Sequence, residues 1–395
     1  MQRDTKIILA VTCGSHLTVH TLMLVLPSIL LVLQGEFGVG LDTLGYIVAA
    51  SSFMFGLGAL PAGFLEKRLG GRRLLLIYQT GTAAAVALIV ISRSLTMLTV
   101  GMMVLGFFAS LYHPAGLTLI SRRVKNLSRA LAYHGVAGTS GLALGPLIAA
   151  SVTDLFSWRA AFAIMALFNL ALAFVTTRMI PPRTAGSALE DDAQNTSVTN
   201  RPALIIFYLI SVFMGLAFAG FTTFMPTHFS LNAAEITEFL SVTIRGGLFT
   251  TIVFLGGVVG QIIGGHLGDR YYRPALLAVL LSLNIPLLMI VGFTTETLLI
   301  VTAIGFGIVH FAMQPVTNAL IANLTHSRAR GIGYGINFFL SFGVGSVGAA
   351  VGGYIAERFG VAYVFPVMAL VIVPTLLLVW RLLRLLPRTA SGTAA

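Results

Sequence analysis

The sequence predicts an all-α integral membrane protein, with twelve transmembrane helices in two pseudo-symmetric six-helix bundles. Three observations carry that prediction: the scarcity of charge, the length of the apolar runs, and a repeat relating the two halves of the chain. Only 9% of the 395 residues are charged and 57% are hydrophobic, with a mean hydropathy of +0.94. An ordinary soluble domain carries about 25% charge, so this chain has too little polar surface to face water, and its solvent is lipid. The net charge of +11 does not imply a nucleic-acid partner, because basic residues also collect on one side of a bilayer. The single Cys13 lies in an apolar run and excludes a disulfide framework or a Cys-based zinc site.

Twelve apolar runs of roughly 20 residues each fall near 7–33, 43–65, 74–92, 97–121, 129–152, 158–180, 202–229, 244–267, 275–293, 297–324, 330–356 and 361–386. The runs are unbroken, whereas spanning strands would alternate apolar and polar residues over about 10 positions, so a barrel is excluded. The first run is too long for a cleavable signal peptide. Over alternating loops, 20 of the 24 basic residues fall on the side of the N-terminus; Arg93, Arg159, Arg245 and Arg358 fall on the other. That asymmetry predicts a multi-pass protein of the cell inner (cytoplasmic) membrane with both termini cytoplasmic. Residues 181–201 hold Glu190, Asp191 and Asp192 among Ser, Thr and Asn and read as a solvated linker. It separates an N-terminal bundle, 1–180, from a C-terminal bundle, 202–395.

The halves repeat at an offset near 200. GFLEKRLGGRR (Gly63 to Arg73) corresponds to GHLGDRYYRP (Gly265 to Pro274), Asp154 and Phe156 to Glu357 and Phe359, His113-Pro114 to Gln314-Pro315, and Arg129 to Arg330. Duplicated six-span halves suit a transporter whose halves rock about a site near the membrane midplane. With the G-x-L-x-D-R-x-x-R-type loop after spans two and eight, the chain resembles the major facilitator superfamily over residues 7 to 386. The resemblance implies that spans one, four, seven and ten line a central cavity. It also implies that the loop residues latch the halves together: Gly63, Glu66, Arg68 and Arg72 in the first copy, Gly265, Asp269, Arg270 and Arg273 in the second. The first copy departs from the motif, with Lys67 at the acidic position and Glu66 one residue earlier. GLALGPLIAA (Gly141 to Ala150) resembles the family's antiporter motif in span five, carried by Gly141, Gly145 and Pro146. SHLTVH (Ser15 to His20) and SLYHPAGLTLISR (Ser110 to Arg122) resemble fosmidomycin-resistance-type drug efflux proteins.

An ionisable group at the bilayer centre costs about 2.5–3.5 kcal/mol, so those kept there are functional candidates. All 13 acidic residues fall in predicted loops or at helix ends, which argues against transport of lipophilic cations, whose desolvation a buried carboxylate would offset. The histidines behave differently. His20, His113 and His310 fall near the middle of spans one, four and ten, His16 lies one turn from His20 on the same face, and His134 sits in span five nearer the cytoplasm. Imidazole is cheaper to bury than a carboxylate and titrates near pH 6.5. Tyr112, Gln314, Asn318 and Asn337 are further deep polar groups. Pro27, Pro114, Pro226 and Pro315 fall one in each of spans one, four, seven and ten, where kinks would let half-helices move.

The expected function is therefore a secondary active transporter: a proton-coupled exporter of a small neutral or anionic amphiphilic compound, of the drug-efflux type, working by alternating access. A proton-coupled uptake symporter and a His-based transition-metal permease are the alternatives, the latter opposed by the absence of a midspan carboxylate. The partners are a small-molecule substrate, protons and the lipid bilayer, with the chain acting as a monomer. No His-Glu-x-x-His pair, Gly-x-Ser-x-Gly turn or phosphate-cradling loop is present, so the chain is not expected to be an enzyme, and neither a cofactor nor a bound metal is expected.

Overall fold

The computed structural model describes residues 3–124, 127–182, 200–325 and 330–386; most of the expected linker, together with Lys125, Arg183, His326, Arg328 and Arg388, lies outside them. The described chain is built from helices: α1 (Arg3–Ser28), α2 (Leu30–Phe37), α3 (Leu41–Val90), α4 (Leu95–Ser110), α5 (Tyr112–Arg123), α6 (Leu127–Leu155), α7 (Trp158–Met179), α8 (Arg201–Asn232), α9 (Val242–Arg270), α10 (Arg273–Val291), α11 (Glu296–Leu324), α12 (Arg330–Phe338), α13 (Val347–Phe359) and α14 (Val364–Leu385). Ser94, Ser157, Ser241 and Asn200 cap α4, α7, α9 and α8, each side chain accepting a backbone N–H three residues on, which satisfies one of the donors a helix start leaves unpaired.

Among the described residues, eleven helices are long and apolar enough to cross a membrane. The 50-residue α3 is far longer than the ~20 residues one crossing needs, and at Gly70 (φ 76°, ψ 154°) it turns back in a conformation that glycine adopts freely. It therefore supplies two spans, and the total is the expected twelve. The loop expected at 66–73 is thus helical except at Gly70, and Glu66 is buried rather than solvated. Spans one, four and eleven are each built from two helices. α1 gives way to α2 just past Pro27, and α4 to α5 at Leu111, just before Pro114, because proline supplies no N–H to the helix ladder. α12 and α13 are joined by a π-helical turn at Phe339–Gly343.

The distribution of side chains is that of a protein in lipid. Thr12, Thr18, Gln79 and Asn169 are fully buried, while Leu167, Phe174, Ile262 and Leu377 are each about 60–70% exposed. Small residues set the contacts between the helices before Met179 and those after Arg201. Gly45 of α3 lies against the Ala349 carbonyl and Gly353 of α13; Gly247 of α9 lies against the Pro146 carbonyl and Ala150 of α6. The glycines are 202 residues apart and both partner pairs 203, so these are one contact made twice, by the internal repeat. Both contacts fall at the bundle end away from the chain termini, where the Glu357 carboxylate also accepts the Leu41 N–H at 2.7 Å.

Candidate functional site

The site begins with three glycines on one face of α6. A Cβ on Gly138 would overlap the His16 ring, one on Gly141 would overlap the Leu17 backbone, and one on Gly145 would press on Thr21 Cα at 3.2 Å. Without them α1 and α6 could not lie this close. Thr21 Oγ1 donates to the Gly141 carbonyl at 3.2 Å across the seam. Gly141, Gly145 and Pro146 of the antiporter-like motif thus have two physical tasks here: the glycines admit α1, and the proline carbonyl receives Gly247.

This approach brings together four histidines from three spans. His16 stacks on His134 with ring centroids 4.1 Å apart, lies 5.2 Å from His113 and 5.0 Å from His20. The hydrogen bonds fix the tautomers. His16 Nδ1 contacts the His134 carbonyl oxygen at 2.7 Å; a carbonyl only accepts, so Nδ1 carries the proton and Nε2 a lone pair. His20 Nε2, 3.3 Å from that lone pair, therefore donates to it. Tyr112 spends its single hydroxyl proton on the Thr12 carbonyl, so His134 Nε2, 2.8 Å from Tyr112 Oη, is a donor. His113 Nε2 is buried and has no hydrogen-bond partner. The outcome is a directed chain from His20 through His16 to a backbone carbonyl, with His113 beside it.

Behind the histidines lies a polar layer that sequence reasoning missed. Thr18 Oγ1 donates to Asn169 Oδ1 at 2.7 Å, Tyr78 Oη to the Ser15 carbonyl at 3.0 Å, and Gln79 Nε2 to Ser15 Oγ at 3.1 Å. These bonds fix the rotation of α1 about its axis, and with it the direction of His16 and His20. In front, the site is closed from the other half of the chain: Phe338 lies 5.4 Å from His113 and 5.2 Å from Phe55.

His310 does not join this cluster. It is buried among Phe221 (4.7 Å), Phe306 (5.3 Å) and Phe218 (6.0 Å), 3.5 Å from Asn284 Nδ2. His134, expected nearer one membrane face, instead belongs to the cluster. Gln314 is exposed on α11 and accepts from Gln261 Nε2 at 2.7 Å. Gln261 in turn contacts Thr139 of α6 at 3.4 Å, a link across the halves that sequence reasoning also missed. The Asn318 carbonyl accepts from Tyr334 Oη at 3.1 Å, and Asn337 Oδ1 is buried without a partner. The two remaining described histidines are accounted for by packing: His228 bonds to the Val291 carbonyl and to Asn232, and His266 lies exposed on α9.

A model of the Major Facilitator Superfamily matches residues 10–245 and 233–395. The chain belongs to that superfamily. It is a transporter, not an enzyme. It is 26% identical to multidrug resistance protein MdtG of Proteus mirabilis, over 93% of each chain, and 22% identical to the D-galactonate transporter of Escherichia coli, over 84% of each. Among solved structures, a bacterial homologue of the human lysosomal transporter Spinster in an inward-facing, occupied conformation covers both chains fully, with a TM-score of 0.80 at 12% identity.

The loop residues of the transporter bond within their own halves. Arg72 donates to the Ile180 and Thr177 carbonyls at 2.6 and 3.0 Å and Arg123 to the Pro181 carbonyl at 3.0 Å, so two guanidinium groups meet the negative end of the α7 dipole. Burial, followed by the neighbouring Arg72, pulls the Arg123 guanidinium below its ordinary value. Arg68 lies over the Phe64 ring at 4.3 Å. Asp269 at the end of α9 and Arg273 at the start of α10 approach to 3.9 Å across the turn between the two helices, while Gly63 and Gly265, with open space around them, and Arg270 mark the same end of the bundle.

Proposed function

We propose that the transporter is a proton-coupled exporter of a small, partly apolar, neutral or anionic compound, and that the His20–His16 chain carries the coupling proton. The observation behind this reading is the directed imidazole chain in a midspan region where, among the described residues, no carboxylate lies. Among the described residues Asp and Glu lie at helix ends, in loops, or, for Glu66, four residues before the break at Gly70. A proton taken up on His20 Nδ1 passes from Nε2 to His16 Nε2; the resulting imidazolium keeps its Nδ1–H on the His134 carbonyl. With no acid nearby to neutralise it, that charge favours an anionic or dipolar solute in the cavity and disfavours a cation. One charge crossing 100 mV releases about 2.3 kcal/mol, enough for roughly 50-fold expulsion of a neutral solute.

Alternating access follows from the duplicated seal. With the basic loops cytoplasmic, the Gly45 and Gly247 contacts close the outer end, and Arg68, Arg72, Asp269 and Arg273, which contact residues of their own halves, leave the inner end free to open. On this reading residues 1–180 and 202–395 move as two bodies joined by a cytoplasmic linker, the loop residues form the latch of the opposite state, and one chain in the cytoplasmic membrane suffices. A proton-coupled uptake symporter of a small organic solute is the second reading, and a relative named a D-galactonate transporter supports such a solute in place of a drug.

Inverted vesicles with an imposed pH gradient separate the two. Export predicts that added solute releases protons from the vesicle lumen, and that His20→Gln abolishes the release. Symport predicts the opposite sign, and no solute-dependent signal across a broad panel of anionic and neutral compounds defeats proton coupling altogether. A susceptibility panel in a host lacking its own pumps, comparing wild type with His113→Gln, then narrows the solute.

A further inference from the structure

We infer that His16, His20 and His113 form a binding site for one borderline-soft divalent cation such as Zn2+, held by three imidazole nitrogens with a fourth position left open. Their candidate ligand atoms all lie within 4.8 Å of one another, on two spans from widely separated parts of the sequence. Three details set the cluster apart from a packing motif. First, His16 Nε2 and His20 Nε2 are 3.3 Å apart. Two imidazole nitrogens bound at about 2.0–2.1 Å to one tetrahedral zinc are separated by about 3.3 Å, so the pair already has the spacing of ligands on one ion. Second, His16 Nδ1–H is anchored on the His134 carbonyl at 2.7 Å. That is the outer hydrogen bond by which proteins fix a ligating histidine's ring and turn its other nitrogen to the metal. Third, His113 Nε2 is buried with no partner, an unmet polar atom of the kind that otherwise costs about 1–3 kcal/mol and that, in the tautomer with its proton on Nδ1, a metal bond would satisfy.

The proton inventory closes without a co-reactant. Binding needs a lone pair on each ligating nitrogen. His16 already offers Nε2; His113 offers Nε2 with its proton on Nδ1; His20 shifts its proton from Nε2 to Nδ1, the other neutral tautomer, and the cation takes its place between the rings. No carboxylate offsets the ion's charge, so water or an anionic group must fill the fourth position, as in catalytic rather than structural zinc sites. Nitrogen ligands without thiolate or carboxylate suit zinc, nickel or cobalt and not calcium or magnesium. The inference does not depend on the direction or the coupling of transport, because it concerns binding at rest.

The test uses the full chain without a histidine tag, in lipid nanodiscs, titrated with Zn2+ by calorimetry. One ion per chain is expected, with affinity at least tenfold weaker in His113→Gln and in His20→Gln and unchanged in His266→Gln, whose ring is on the surface. X-ray absorption on the zinc-loaded wild type, which does not rely on any variant folding, is expected to find three imidazoles at about 2.0–2.1 Å. Failure to take up one equivalent, equal affinity in His113→Gln and wild type, or a first coordination shell with fewer than two imidazoles would each overturn the proposal. Because no transport is measured, these results leave the vesicle experiment independent.

Discussion

Gly138 and Gly135 lie one turn apart on α6, and the packing predicts opposite consequences for the same substitution. In Gly138→Ala the new methyl would coincide with three atoms of the His16 ring. To restore ordinary contact the ring must withdraw by roughly an ångström, which stretches its 2.7 Å bond to the His134 carbonyl past the length of a hydrogen bond. Overpacking costs about 1–3 kcal/mol and the stranded Nδ1–H about 1–3 kcal/mol, against a helix-propensity gain of about 1 kcal/mol. The net loss is about 1–5 kcal/mol. Around Gly135 a Cβ meets nothing within 4 Å, so Gly135→Ala retains only the gain, up to about 1 kcal/mol. Cys13, the single cysteine, sits half-buried on α1 one turn before His16; a thiol-reactive dye in a thermal scan therefore reports the release of this seam directly. Gly138→Ala should melt several degrees below wild type and Gly135→Ala at or above it. Equal shifts, or a Gly138→Ala protein more stable than wild type, would refute the claim that the glycine face of α6 positions His16.

Other contacts make equally direct demands. Tyr112→Phe removes the acceptor of the buried His134 Nε2–H, while the Thr12 carbonyl keeps its place in the α1 ladder; the expected cost is about 1–3 kcal/mol, read as a lower unfolding midpoint in the same dye assay. Arg245 is buried and donates to the Ser230, Thr237 and Leu240 carbonyls, closing the turn between α8 and α9. Arg245→Met should therefore destabilise by at least about 2 kcal/mol and speed proteolysis within residues 233–241; unchanged cleavage would refute the role. Glu36 pairs with Arg159 at 2.8 Å while the Trp158 indole N–H donates to its other oxygen. A double-mutant cycle with Glu36→Gln and Arg159→Met should give a coupling of about 0.2–1 kcal/mol that falls with added salt, because both side chains are about one-third exposed.

What the sequence makes legible follows from the range of each interaction. Spans are set by runs of apolar residues in a single stretch of chain, so twelve crossings could be counted, and His16 and His20, four residues apart, could be placed on one helix face. The His16–His134 contact spans 118 residues and depends on how far two helices can approach; its sequence signal was the Gly138, Gly141 and Gly145 spacing, which fixes close packing but not the partner. Depth along a span grouped His310 with His20 and His113, but depth carries no information on which side of the molecule a residue occupies. Gln261 was hidden in the glycine stripe of span eight, where Gly260 and Gly264 pack on the Ile308 and Ala312 carbonyls of α11. A lone amide among packing residues was the available clue.

Duplication separates the parts of this molecule that hold it together from the parts that act. Gly45 and Gly247 are repeat mates, and so are their partners, Ala349 with Pro146 and Gly353 with Ala150; the packing that lets two halves meet exists in two copies. The imidazoles do not. The repeat mate of His113 is Gln314, and the position 202 residues beyond His16 is Phe218, a wall of the aromatic pocket around His310. One half thus presents a hydrogen-bonded cluster of imidazoles, and the other a single histidine, His310, among aromatic faces. A symmetric pair of histidine clusters would place two charges at a depth where no described carboxylate lies to compensate them when both were protonated, at a cost that rises steeply in a medium of low dielectric. Confining the chain to one half keeps the charge single and leaves the opposite wall apolar. On the proton-coupled reading proposed above, a solute held between the two walls would meet a charge that switches on one side and a surface that stays constant on the other, which is the asymmetry that coupling a proton to a partly apolar solute requires.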